Sequence, residues 1–130
     1  MAFVKFKPLA SSFFFYAVVA PDEIDSNINK YLGDGEKIVF AFRSQRDIGV
    51  FTNKRIVLID RKGIRGFCRS VFAIDYKSIS SYILNIHNLD SSIEIITNSS
   101  HKVLINILKP IPLDEVYEVY KYLTNYVVKD

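Results

Sequence analysis

From Lys37 to Leu108 the chain alternates apolar and polar positions in short bursts, each closed by turn-forming residues. That two-residue period predicts strands. Seven are expected, at Lys37–Ser44, Asp47–Thr52, Arg55–Asp60, Phe67–Asp75, Ile79–Asn88, Ser92–Thr97 and Val103–Leu108. Turns fall at Asn53-Lys54, Arg61-Lys62-Gly63, Leu89-Asp90 and Asn98-Ser99-Ser100. Connections this short join antiparallel neighbours, because a parallel crossover needs a dozen residues or more. The period then changes. In Leu113–Val128, Val116, Val119, Tyr120, Leu123 and Val127 recur at helical spacing, after Pro110 and Pro112 and with Asp114 and Glu115 in the first turn. This predicts a C-terminal amphipathic helix. A short N-terminal helix is expected to open at Pro21-Asp22-Glu23, with Ile24, Ile28, Tyr31 and Leu32 on one face and Gly33-Asp34-Gly35 as its stop.

The first twenty residues follow neither period. Lys5 and Lys7 precede an apolar run from Leu9 to Ala20, bracketed by Pro8 and Pro21. A basic start, an apolar middle and a small-residue end have the outline of a secretory leader. Pro21 directly after the cut and the Ser11-Ser12 pair argue against that, and the run is well short of the roughly 20 residues that span a bilayer. Residues 1–20 are therefore read as an apolar arm, and residues 21–130 as the domain. Phe13, Phe14, Phe15 and Tyr16 in this arm need cover, which makes them the expected contact with the domain or a neighbouring subunit.

Composition adds three constraints. Ten Phe and eight Tyr, with no Trp, are too many aromatics for a 130-residue surface, so many must be buried. One cysteine, Cys68, excludes an intrachain disulfide and points to a reducing, cytoplasmic setting, with membrane association or secretion as the alternatives. The net charge is only +3, yet nine Lys or Arg against three Asp lie between Arg43 and Lys77, giving that segment +6. An acidic partner or anionic membrane could use Arg43, Arg46, Lys54 and Arg55. Nucleic acid is disfavoured, because Phe51, Phe67 and Phe72, the aromatics interleaved with these cations, are expected to point inward.

Catalytic chemistry is not legible. There is no nucleophile elbow, phosphate-binding loop, zinc-protease helix or dinucleotide fingerprint. Gly33-Asp34-Gly35 precedes a strand, the wrong order for a phosphate cradle. His87, near Asp90, and His101 lack further ligand-like neighbours. Asp47, Asp60 and Asp75 sit at strand ends, where capping or ion pairing is the default. No enzyme, cofactor or metal is expected.

Two segments carry a resemblance. Arg46-Asp47, Val50-Phe51-Thr52-Asn53-Lys54-Arg55, Leu58-Ile59-Asp60 and Gly63, followed by Tyr76-Lys77-Ser78-Ile79-Ser80, are similar to the signature segments of the bacterial pleckstrin-homology (PH) domain family. The resemblance runs from about Ile24 to the C-terminus. It implies a mainly β, PH-like fold: a seven-stranded, antiparallel, partly open barrel capped by the C-terminal helix. It also implies a non-catalytic interaction or assembly module forming ring-like homo-oligomers. The helix lacks the tryptophan usual in eukaryotic PH domains, so Tyr120 and Leu123 are expected in its place. At Thr52-Asn53-Lys54-Arg55 the turn conformation is the expected purpose, with Asn53 left-handed, Thr52 bonding to nearby backbone, and the charges secondary. Peripheral membrane binding is the alternative function.

Overall fold

The computed structural model describes residues 10–24, 26–62, 68–88 and 90–128. Nine strands are present among them, in two sheets, with one α-helix. The strands are β1 (Ala10–Phe15), β2 (Ala17–Val19), β3 (Ile38–Arg43), β4 (Asp47–Thr52), β5 (Arg55–Lys62), β6 (Cys68–Asp75), β7 (Ile79–His87), β8 (Asp90–Thr97) and β9 (Lys102–Ile107). The helix α1 spans Leu113–Val127. One sheet is ordered β1-β9-β8-β7 and the other β2-β3-β4-β5-β6.

The seven expected strands are thus β3 to β9, to within a few residues. The sheets do not close into a barrel, as the expected partly open form allows. Two expectations need correction: there are nine strands rather than seven, and the pairing of β1 with β9 is parallel where an antiparallel arrangement was expected. The additional pair comes from the supposed arm. β1 lies parallel to β9, from Ala10 opposite Lys102 to Phe15 opposite Ile107. After Tyr16 the chain continues as β2, antiparallel to β3 in the other sheet. Phe13 and Phe15 are completely buried, and the Phe15 ring lies over Gly49, where an added Cβ would stand 2.6 Å from its Cζ. Gly49 leaves the space that this ring fills. Residues 10–19 therefore belong to the domain, and Phe13 and Phe15 are core rather than interface. Residues 1–9 of the expected arm lie outside the described residues, as do Phe67 and Gly63; β5 continues through Arg61 and Lys62, where a turn was expected.

The main core lies between the sheets. Phe42, Phe51, Ile56 and Leu58 of one face Phe13, Phe15, Ile93, Ile95, Val103 and Ile105 of the other. The stripe of α1 closes one end: Val116, Val119 and Leu123 are buried, while Tyr120 stacks at 5.4 Å from Tyr82. A second cluster covers the outer face of the five-stranded sheet, where Ile28 packs with Ala41, Val50, Val57 and Ile59. Both faces of β4 and β5 are therefore covered, which is why their sequences are apolar almost throughout.

The cover comes from Ile24, Ile28, Tyr31 and Leu32, and the expected apolar face of these four residues is correct. The expected helix type is not. Residues 21–23 form a turn, and Ser26–Tyr31 is a six-residue 3-10 helix. Ser26, Asn27 and Asn29 compete with helical backbone bonds, and Gly33 follows too soon for a stable α-helix.

Candidate functional site

The four cations singled out from sequence do not converge. Arg43 and Arg46 flank the β3–β4 turn, whereas Lys54 and Arg55 sit at the β4–β5 turn, with all of β4 between. At about 3.4 Å per residue that separation is roughly 17 Å.

At the β4–β5 turn the charge is spent internally. Thr52 Oγ1 accepts the backbone N–H groups of Lys54 (3.1 Å) and Arg55 (3.0 Å), and donates to Glu36 Oε2 at 2.6 Å. Arg55 grips the same carboxylate through Nε (3.0 Å to Oε2) and Nη2 (3.1 Å to Oε1), and Nη2 also donates to the Tyr31 carbonyl at 2.6 Å. Burial alone would raise the Glu36 pKa. The bonds from Arg55, Thr52 and the Gly33 N–H outweigh it and hold the carboxyl at about 2. Lys54 Nζ caps the Asp34 carbonyl at 3.2 Å. Asn53 is not left-handed: among the described non-glycine residues only Asn88 and Ser100 have positive φ. Its side chain instead accepts the Lys37 N–H at 2.8 Å and donates to the Gly35 carbonyl at 3.3 Å.

The second signature segment meets the first here. Tyr76 and Tyr122 both donate their hydroxyls to the Thr52 carbonyl, at 2.6 and 2.8 Å. Burial, followed by the neighbouring tyrosines, pushes both phenols above their ordinary pKa. They remain neutral donors, and they tie α1 to the turn. Neither Glu36 nor the tyrosine pair was found from sequence. Their partners lie 16 to 70 positions away, where no local period links them.

The β3–β4 end is different. A cleft of about 600 Å3 opens there, floored by Phe42, Ile48, Val19 and Ile24 and rimmed by Tyr16, Glu23, Arg43 and Arg46. Arg46 Nε bonds Asp60 Oδ1 at 2.9 Å and lies 3.8 Å from Asp47 Oδ1. Asp47 and Asp60 face each other across β4 and β5, and both are buried. Asp47 Oδ2 accepts the Phe14 N–H at 3.1 Å, fastening β1 to the other sheet, while Oδ1 is buried with no hydrogen-bond partner. Burial raises the Asp47 pKa and the facing Asp60 adds to it, against the downward pull of the Phe14 N–H and Arg46. The cleft can receive an apolar group beside a cation.

Phe14, Tyr16 and Val18 are exposed around this end, Phe14 by half its surface. Phe14 points outward between the buried Phe13 and Phe15, so only two of the four expected interface residues, Phe14 and Tyr16, are at the surface. Phe51 is buried and Phe72 packs edge-on to Phe13 at 5.5 Å, so neither aromatic is displayed beside the cations. His87 faces Asp90 across β7 and β8, and His101 Nε2 lies 3.3 Å from Ser11 Oγ. No group of three metal-ligating side chains occurs among the described residues. No described helix is long and apolar enough to cross a membrane.

Comparison with known proteins gives a consistent result. The family model described as "Bacterial PH domain" matches residues 9–127. The Bacillus subtilis (strain 168) protein YjqA is 34% identical over 104 residues, covering 77% of this chain and 82% of that protein. Among solved structures, a DUF1696 family protein with a pleckstrin-homology domain from Shewanella loihica PV-4 superposes with a TM-score of 0.76 at 27% identity, covering 86% of this chain and 97% of its own. A pleckstrin homology domain from Shewanella amazonensis SB2B gives 0.67 at 24% identity, covering 85% of this chain and 90% of its own, a likeness of fold alone. The match extends further toward the N-terminus than the sequence motifs do, in keeping with β1 and β2 being part of the domain.

Proposed function

The chain belongs to the bacterial PH domain family, and from that premise we propose a non-catalytic interaction and assembly module that self-associates into a closed homo-oligomer. One observation carries this reading. The outer face of the five-stranded sheet is covered by Ile24, Ile28, Tyr31 and Leu32, whereas no described element covers the outer face of the four-stranded sheet. On that face the register places Phe14 beside Asn106 and Ile83 beside Glu94, with Leu104 and Ile96 partly exposed between the edges. Large exposed apolar side chains on a bare sheet are a docking surface in search of a second layer. The lone cysteine is in keeping with a cytoplasmic setting.

The weakly charged strands β8 and β9 are interior to their sheet and offer no free edge. Removing residues 1–20 would delete two strands and is not a clean test. Light scattering of the full chain at tens of micromolar is. It should give a mass well above 15.0 kDa, and a monodisperse monomer refutes the reading.

Peripheral membrane contact is the second reading, favoured by Arg43 and Arg46 beside the exposed Tyr16 and Val18. Two cations at about 1 kcal/mol each give weak, salt-sensitive binding. Vesicles containing phosphatidylserine should pull down little protein; strong, salt-releasable sedimentation that Arg43→Gln abolishes would make this reading the better one.

A further inference from the structure

We propose that Asp47 and Asp60 hold one proton between them, and that this proton makes the pair a pH-sensitive clamp of β1 on the five-stranded sheet. The inference is independent of how the chain assembles.

The antiparallel register sets Asp47 of β4 directly opposite Asp60 of β5. Alternation along the strands puts both on the inner face, with Gly49 and Leu58. The two residues are only 5% and 8% exposed. One guanidinium serves both acids. Arg46 Nε lies 2.9 Å from Asp60 Oδ1 but 3.8 Å from Asp47 Oδ1, and the Arg46 side chain itself is largely in solvent. The other strands packed on β4 do not supply a second cation to the pair. β1 has no titratable side chain, and β3 contributes Arg43, which is exposed. On β5 the chain continues past Asp60 to Arg61 and Lys62, on β6 the residue opposite Asp60 is Ser70, and the Ser44 hydroxyl is taken up by the Asp47 N–H at 2.8 Å.

With both acids ionised, two buried anions would face each other around one cation, and like charges sharing a site make one group keep its proton. The distances decide which. Asp60, gripped by Arg46, is the anion. Asp47, whose Oδ1 is buried without a hydrogen-bond partner, is the acid, and a proton there gives that atom a hydrogen to donate to Asp60. The upward displacement of the Asp47 pKa, caused first by burial, agrees.

The same carboxyl fastens β1, because its Oδ2 accepts the Phe14 N–H at 3.1 Å. If β1 lifts from the sheet, Asp47 meets water and titrates at the ordinary aspartate value of about 3.9. The clamped form has the higher value, so it is most favoured below about 3.9 and loses that advantage as pH rises toward its own value. An ionised Asp47 is the stronger acceptor for the Phe14 N–H, but burial and Asp60 outweigh that pull.

Hydrogen exchange of the full chain, read by mass spectrometry and corrected for the intrinsic rate, tests the clamp. Between about pH 4 and pH 8, protection of a peptide spanning β1 should fall at least threefold and then level off, relative to a peptide from β8, which is interior to its sheet. Asp47→Asn, which keeps an acceptor for Phe14 and a permanent donor for Asp60, should give a flat profile. Asp60→Asn removes the facing anion and should shrink the fall. Protection of β1 in the parent that stays flat or rises relative to β8 overturns the proposal. So does a fall of the same size in Asp47→Asn, because the proton then lies elsewhere, or in Asp60→Asn, because burial of Asp47 alone then accounts for it.

Discussion

Replacing Glu36 with Gln keeps the shape of the side chain and removes the charge that Arg55 and Thr52 surround. The Glu36 carboxyl is held at about 2 against an ordinary 4.5. At about 1.4 kcal/mol per pKa unit this corresponds to roughly 3 kcal/mol at neutral pH. The Arg55 side chain is 27% exposed, so screening brings the expected loss nearer to about 2 kcal/mol. The sign is that of a depressed acid: the contribution is fully present above about pH 4.5 and disappears as pH falls through about 2. Urea unfolding of parent and Glu36→Gln at neutral pH should show the variant with the lower midpoint and an unchanged slope. Repeated down to pH 2, the curves should converge, because the parent loses what the variant never had. A variant as stable as the parent at neutral pH, or a gap that persists at pH 2, would refute the view that Arg55 is a structural cation rather than a binding one.

Two further outcomes follow from the packing. Leu123 is fully buried in the stripe that closes the core, so Leu123→Ala should cost roughly 2–5 kcal/mol by thermal or chemical melt; a variant that melts with the parent would deny α1 its place as the plug. Asp47 is a raised acid whose contribution is present at low pH and lost as pH rises through its folded value. Asp47→Asn keeps an acceptor for the Phe14 N–H and gains a donor toward Asp60. It should be as stable as the parent or up to about 2 kcal/mol more stable at pH 7, with the difference shrinking in acid; clear destabilisation at pH 7 would contradict this.

Strands β3 to β9 and α1 were legible from their apolar periodicity or from short apolar runs set off by turn residues or proline. The stretch from Ser11 to Val19 was not. Ser-Ser-Phe-Phe-Phe-Tyr has no clean alternation of polarity, and β1 pairs parallel with a strand some ninety residues away, which leaves no local signature. Only burial reveals that Phe13 and Phe15 point in while Phe14 points out. The same limit applies to the site. Thr52 was readable as a turn residue because its bonds to the N–H groups of Lys54 and Arg55 are local. Arg55 looked like a surface cation because its partner, Glu36, lies nineteen positions earlier beyond two intervening strands. Arg43 and Arg46 lie on one hairpin, and Lys54 and Arg55 lie at the far end of β4, because nearness in sequence across β4 becomes the full length of a strand in space.

Native mass spectrometry of the full chain tests the assembly reading most directly, because it counts subunits. One species with more than two subunits is expected, as a closed assembly requires. A monomer at 15.0 kDa, or an open ladder of increasing sizes, would contradict it.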